Sequence, residues 1–378
     1  MQTRRNPRTT LPPTHAQAEL KALGDEAAQQ FNTGFYKPQD TVYDNGHNTA
    51  LSLPLALGIA PNASLVQSRL VHQLNANGNH YDCGIIGMRF MLDALADAGA
   101  ADTALSLLSN VDYPSLGFYF ANPDEKATEN LWELPDAPRE GVGMNSRNHH
   151  MWSSYSSYLV RRVAGIEQAR GSTGFQQLNL HPGGFGALSE LASANATLHL
   201  RHGDLSLSWS RTGGAQADRA PEGHVVHLDC GAEGGEIVAV EHASFGWLST
   251  RGGASSALWA GEGGCSAPAS VVRSAVERLC LGRSRCDIAS SSALFGLSRS
   301  QCPADRSRVL QTAVRVRCSE PLSLQVDASV PAGSAARIHI PRAQGARVEG
   351  VRLGDTLVPA ADHLDVGSGR HRVVVQYN

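Results

Sequence analysis

The sequence predicts a multi-domain α plus β protein, and three observations carry that prediction. Apolar residues recur at helical spacing from Ala16 to Ile166. Apolar and polar residues then alternate from Gly174 to Ser210, and again after Leu322, as they do in half-buried strands. Six of the seven cysteines fall between Cys230 and Cys318, interrupting that alternating pattern. The parts are a leader (1–15), a helical segment (16–175), a β-rich segment in two pieces (176–218 and 319–378) and a cysteine-rich insert (219–318).

The leader, MQTRRNPRTTLPPTH, is rich in Arg, Thr and Pro and reads as disordered; it lacks the apolar core of a secretory signal. Helices are expected at Ala16–Phe31, Thr49–Leu57, Ser64–Asn75, Gly84–Ala98, Ala101–Ser109 and Asn148–Ile166, with Gly58, Gly78, Gly99 and Pro114 as punctuation. Strands are expected at Ala196–Leu200, Asp204–Trp209, Leu322–Val326, Arg337–Pro341 and His371–Tyr377. A net charge of −3 argues against a nucleic-acid partner, and no apolar run approaches the ~20 residues of a membrane span. No nucleotide, redox or cofactor motif is present, no acidic loop has the spacing of a Ca²⁺ site, and no metal site is expected.

The candidate site lies between Thr128 and Ile166. Glu133 follows Trp132, and Asn148, His149 and His150 open the last helix. A carboxylate beside aromatic rings is suited to acid/base work, and a helix mouth offers free backbone donors. On local composition alone, a solvated loop glutamate and a capping asparagine is the stronger description.

The motifs resemble those of glycoside hydrolase family 78, the α-L-rhamnosidases. The resemblance rests on Trp132-Glu133, the run Met144-Asn145-Ser146-Arg147-Asn148-His149, Ala164-Gly165-Ile166, the run from Tyr43-Asp44-Asn45-Gly46-His47 to Ala50, and His80-Tyr81-Asp82-Cys83-Gly84-Ile85-Ile86-Gly87. It covers roughly 28–210 and 319–378. It implies the second half of an (α/α)6 toroid followed by a C-terminal antiparallel β-sandwich. By the same resemblance Glu133 is the general base of an inverting hydrolysis, His149 contacts the rhamnose ring, and Trp132 and Asn148 line the pocket. The family's Pro-Ser-Trp-Gly run reads Pro114-Ser115-Leu116-Gly117, so one aromatic platform is replaced. The general-acid motif has no counterpart in residues 1–48. The resemblance therefore implies an incomplete barrel, with an N-terminal half or a second chain to complete it. The competing expectation is a non-catalytic carbohydrate-binding protein, and a third is a purely structural one.

Six clustered cysteines in a Gly/Ser-rich segment read as a disulfide framework with fifteen connectivities, all open on spacing alone. The run Cys280-Leu281-Gly282-Arg283-Ser284-Arg285-Cys286, with Phe295-Gly296 and the strand from Glu236 to Gly246, is similar to SUEL-type lectins, which bind galactose or rhamnose. That resemblance implies the pairs Cys230–Cys318, Cys265–Cys302 and Cys280–Cys286, and a small disulfide-rich α/β lectin domain. It places Glu222, Phe245, Trp247 and Ser292 at an eroded sugar site, because the family's Tyr-Gly-Arg reads Phe245-Gly246-Trp247. Rhamnose- or galactose-containing glycans are the partners implied. Disulfides imply an extracellular or secretory-lumen location. Cys83 is expected to be a buried free thiol.

Overall fold

A computed structural model describes residues 15–121, 131, 133, 146, 148–183, 191–231, 235–248, 261–305, 308–342 and 346–378. The expected leader, His15 apart, lies outside them.

The helical body contains α1 (His15–Phe35), a short hairpin of β1 (Tyr36–Lys37) and β2 (Val42–Tyr43), then α2 (Asn48–Ala56), α3 (Ala63–Ala76), α4 (Ile85–Asp97), α5 (Ala101–Ser109) and α6 (Phe118–Ala121). Its centre is α4, whose Met88, Met91, Leu92 and Leu95 are buried at helical spacing. They pack with Leu51 of α2 and Leu70 and Leu74 of α3 in one core. Gly87 permits this approach: a Cβ there would fall 2.2 Å from Thr49 Oγ1 and 2.5 Å from Cys83 Cβ. Cys83 is buried, and burial pushes its thiol up to about 12, so it stays protonated. The Asn62 carboxamide oxygen accepts from Leu65 N and caps α3.

The helix expected at Asn148–Ile166 is instead built of three pieces. A 3₁₀ turn (His150–Ser153) leads into α7 (Ser154–Tyr158), which widens into a π turn (Leu159–Ala164). Gly165, at φ +94°, ends it, and Ile166 begins a strand. Any Cβ at Gly165 would meet the His181 carbonyl oxygen at 2.1 Å, so only glycine lets the strands close against this helix end.

Two sheets follow. One has four strands, β3 (Ile166–Gln168), β4 (Gln177–Leu180), β14 (Ala335–His339) and β17 (His363–Val366); the other has six, in which β5 (Ser193–Leu200), β6 (Gly203–Thr212), β13 (Ser323–Val330), β15 (Val348–Leu353), β16 (Thr356–Val358) and β18 (Gly369–Tyr377) run in the order β16-β15-β18-β13-β6-β5. Leu205, Leu207 and Trp209 alternate inward from β6 and meet Leu178, Leu180, Ala336 and Ile338 of the opposing sheet. The six-stranded sheet is antiparallel, as expected, but β14 pairs with β4 in parallel, Ala335 opposite Gln177. Trp209 Nε1 donates to the Val163 carbonyl and ties the sandwich to the helical body.

The insert has its own core. Here β7 (Ala215–Pro221), β9 (Ile237–Leu248), β10 (Gly261–Ser266) and β12 (Gln311–Cys318) form a sheet in the order β10-β9-β12-β7, and β8 (Val225–Asp229) pairs with β11 (Arg285–Ala289). The helix Ala269–Cys280 buries Val272, Ala275, Val276 and Cys280 against them. Ala215–Ala217 and Pro221, divided at 218/219 by the sequence reading, thus belong to one strand of the insert. Disulfides join Cys230 to Cys318, Cys265 to Cys302 and Cys280 to Cys286.

Candidate functional site

Two short segments meet beneath the 3₁₀ turn. Glu133 N donates to the Ser146 carbonyl at 2.9 Å and His149 N donates to the Leu131 carbonyl at 2.5 Å. This backbone bridge sets Glu133 beside the segment that carries Asn148 and His149. Asn148 is exposed, while Glu133 and His149 are half-buried. Trp132 lies outside the described residues.

Trp152 anchors the bridge from below. It is buried, its ring lies 5.7 Å from that of Tyr81, and its Nε1 donates to the Glu133 carbonyl at 3.2 Å. Sequence reasoning named the glutamate and missed this anchor. The available signal was Trp152 three residues beyond His149, on the face that turns inward.

Tyr81 leads to a second cluster absent from the sequence reading as a site. The Asp82 carboxylate accepts from Asn48 N at 2.7 Å, from His47 Nδ1 at 2.8 Å and from Gln73 Nε2 at 3.2 Å, while Asp82 N donates to Asn48 Oδ1 at 2.9 Å. The two runs that carry the resemblance upstream, Tyr43–Ala50 and His80–Gly87, are therefore welded together at the N-termini of α2 and α4.

In the insert, Ser292 donates to Glu222 Oε1 from both its backbone N (3.0 Å) and its hydroxyl. These two of the four lectin-site candidates are joined. The other two are not at the surface: Phe245 is fully buried against Phe295 with ring centroids 5.0 Å apart, and Trp247 is 5% exposed. Arg308 covers the Trp247 ring at 5.5 Å, so the indole presents no open face for stacking a sugar. Among the described residues no group of three or more His, Cys, Asp or Glu side chains is arranged to hold a metal ion. Within the same residues no helix is long and apolar enough to cross a membrane.

Residues 11–163 match the family model of the bacterial α-L-rhamnosidase six-hairpin glycosidase domain. The chain matches part of an α-L-rhamnosidase. It is 30% identical over 186 residues to an α-L-rhamnosidase of Streptomyces avermitilis, a match covering 47% of this chain and 17% of the relative. A second α-L-rhamnosidase, from Formosa agariphila, is 27% identical over 203 residues, covering 51% of this chain and 20% of the relative. The match thus spans about a fifth of these relatives' length. The fold is similar to that of the solved α-L-rhamnosidase of Dictyoglumus thermophilum, with a TM-score of 0.58 at 18% identity over 96% of this chain and 29% of that one. The S. avermitilis α-L-rhamnosidase in complex with L-rhamnose gives 0.55 at 21% identity, over 95% of this chain and 24% of that one. The rhamnosidase-like segment contains both Glu133 and His149.

Proposed function

We propose that the chain serves the inverting hydrolysis of terminal α-L-rhamnose, with Glu133 as general base and His149, Asn148 and Trp132 as contacts to the sugar. The observation that supports this reading best is the backbone bridge that holds Glu133 beside Asn148 and His149, within the segment that matches the rhamnosidase domain. A base so placed would take a proton from water as it attacks the anomeric carbon. Inversion also needs an acid for the leaving oxygen, about 6.5–9.5 Å from the base. No residue of this chain is assigned that role.

A second reading, favoured by the joined Glu222–Ser292 pair of the insert, is that the chain binds carbohydrate without cleaving it. The insert, as a SUEL-type lectin domain, would contribute a weak site through Glu222 and Ser292. Three disulfides support an extracellular or secretory-lumen setting.

Hydrolysis of p-nitrophenyl α-L-rhamnoside by the chain and by Glu133→Gln decides between the two. The hydrolytic reading expects activity that falls at least ~10²-fold in the variant. Equal activity in both would sink Glu133 as the base. Rhamnoside binding without hydrolysis in either would establish the binding reading.

A further inference from the structure

Between the C-terminal turn of α1 and the first two turns of α2 lies a recess of about 540 Å³. Phe31, Phe35, Ala50, Leu53 and Pro54 line its apolar side, and Asp44, Asn45, His47 and Asp82 stand on its polar side. This volume falls within the ~300–1,000 Å³ of small-molecule sites, and an apolar, aromatic wall with a few fixed polar groups is their usual make-up.

The polar side is held in place by hydrogen bonds among its own residues and to α2 and α3. Asp82 spends its carboxylate on Asn48, His47 and Gln73. Because a carboxylate oxygen accepts from His47 Nδ1, the neutral imidazole carries its lone pair on Nε2. Asn45 Oδ1 accepts from His47 N at 3.0 Å, which leaves the Asn45 amide hydrogens for another acceptor. The turn beneath is fixed as well: Asp44 N donates to the Phe35 carbonyl, Gly46 N to the Tyr43 carbonyl, and Lys37 Nζ to the Asp44 carbonyl. On the aromatic side, Phe31 sits 5.1 Å from Phe35 and 5.7 Å from Tyr43, ring to ring, and Phe35 remains half exposed. The result is an acceptor (His47 Nε2), a donor pair (Asn45 Nδ2) and a carboxylate (Asp44), all beside an aromatic face. A pyranose offers the matching chemistry, with hydroxyls that donate and accept on its edge and C–H groups on its face.

We propose that this recess is a saccharide-binding site, in which Phe35 and Phe31 take the face of a neutral pyranose and His47, positioned by Asp82, accepts a hydrogen bond from a ring hydroxyl. The inference shares the carbohydrate class with the function proposed above but does not depend on Glu133 or on rhamnose in particular.

Saturation-transfer-difference NMR on the full chain tests it, with methyl α-L-rhamnopyranoside, methyl α-D-glucopyranoside and methyl β-D-galactopyranoside as probes. Phe35→Ala removes the aromatic face at an already exposed position. His47→Asn keeps a donor for Asp82 and removes the Nε2 acceptor, so circular dichroism should match the parent chain. The expected result is transfer to at least one probe, with apparent affinity for that probe weakened at least tenfold in Phe35→Ala and in His47→Asn. Binding that survives Phe35→Ala and His47→Asn but is lost in Glu133→Gln or Glu222→Gln overturns the proposal, as does transfer to none of the three. Transfer to the glucoside or galactoside alone, lost in the recess variants, upholds the recess and counts against rhamnose as the substrate.

Discussion

His181 stacks on His339 with ring centroids 4.0 Å apart and planes 10° from parallel, and His363 lies 6.1 Å beyond. Burial first, then the neighbouring His339 and Arg162, push the His181 imidazole down to about 3. His339 is lowered by burial, His363 and Arg337, against the opposing pull of Asp365. A histidine whose folded pKa lies below its unfolded value of about 6.5 contributes stability that is complete above that value. The contribution is lost as the pH falls, because the unfolded chain then binds more protons. Burial raises Asp102, Asp112 and Asp218 in the opposite sense, so the pair must be isolated by substitution. His181→Phe keeps a flat ring against His339 and cannot be protonated. Urea midpoints between pH 7 and 4 should fall less steeply in this variant than in the parent chain; identical slopes would show that the stacked pair carries no acid sensitivity.

At the scale of elements, the least regular helix is the one that joins the helical body to the sandwich. Arg161 and Arg162, successive residues on the π turn, both reach Asp93 on α4, and Arg162 also meets Asp97 and Glu167. On this π turn two adjacent long side chains thus converge on one carboxylate. Arg162 is 11% exposed, and its loss would leave Asp97 without this guanidinium and Asp93 and Glu167 with Arg161 alone. Arg162→Ala should therefore cost about 2–3 kcal/mol of unfolding free energy. Asp97→Ala, at a side chain 57% exposed, should cost under about 1 kcal/mol. Equal costs in urea titrations would show that Arg162 acts through packing and not through its charge. The same helix shows what the sequence could reveal. Of the apolar positions at helical spacing, Tyr158 and Val163 turn inward and Tyr155 is half-buried, whereas Leu159, on the π turn, is exposed. The break at Gly165 depends on the His181 carbonyl sixteen residues later, which no local pattern contains. Likewise Trp132-Glu133 and Asn148-His149 were legible as contiguous motifs, whereas the His47–Asp82 pair joins residues 35 apart and exists only once α2 lies against α4. Phe245 and Trp247 looked like site residues because a motif was matched without knowledge of which strand face it occupies; an alternating strand puts both on the same side, and here that side is the core.

For the whole molecule, the insert is the part whose removal can be reasoned through. Its two ends lie together: Ala215 pairs with Arg317, Cys318 N donates to the Gly214 carbonyl, and the flanking strands β6 and β13 pair directly, Thr212 opposite Ser323. Joining Gly214 to residue 318, with Cys318→Ser because its partner Cys230 is gone, should leave the sandwich register intact. The insert nevertheless leans on the helical body. Asp112, 2% exposed just after α5, accepts from Arg308 Nε at 2.7 Å and from Val309 N at 2.8 Å, and Arg219 Nη2 donates to Ser109. Burial outweighs the Arg308 guanidinium and holds the Asp112 carboxyl above its ordinary range, so the pair is expensive to desolvate and costlier still to break. In the full chain Asp112→Ala leaves Arg308 half-buried without its carboxylate and should cost about 3 kcal/mol. Once the insert is deleted, Arg308 and Val309 go with it and the Asp112 carboxylate returns to water, so the same substitution should cost nothing measurable. The comparison forms a double-mutant cycle in which the coupling energy is the docking contribution of this one pair. A cost of about 3 kcal/mol in both backgrounds would place the role of Asp112 inside the helical body, where it accompanies Asn110 and Ser115 in the turn after α5, and would leave the Arg219–Ser109 bond as the insert's hold on its neighbour.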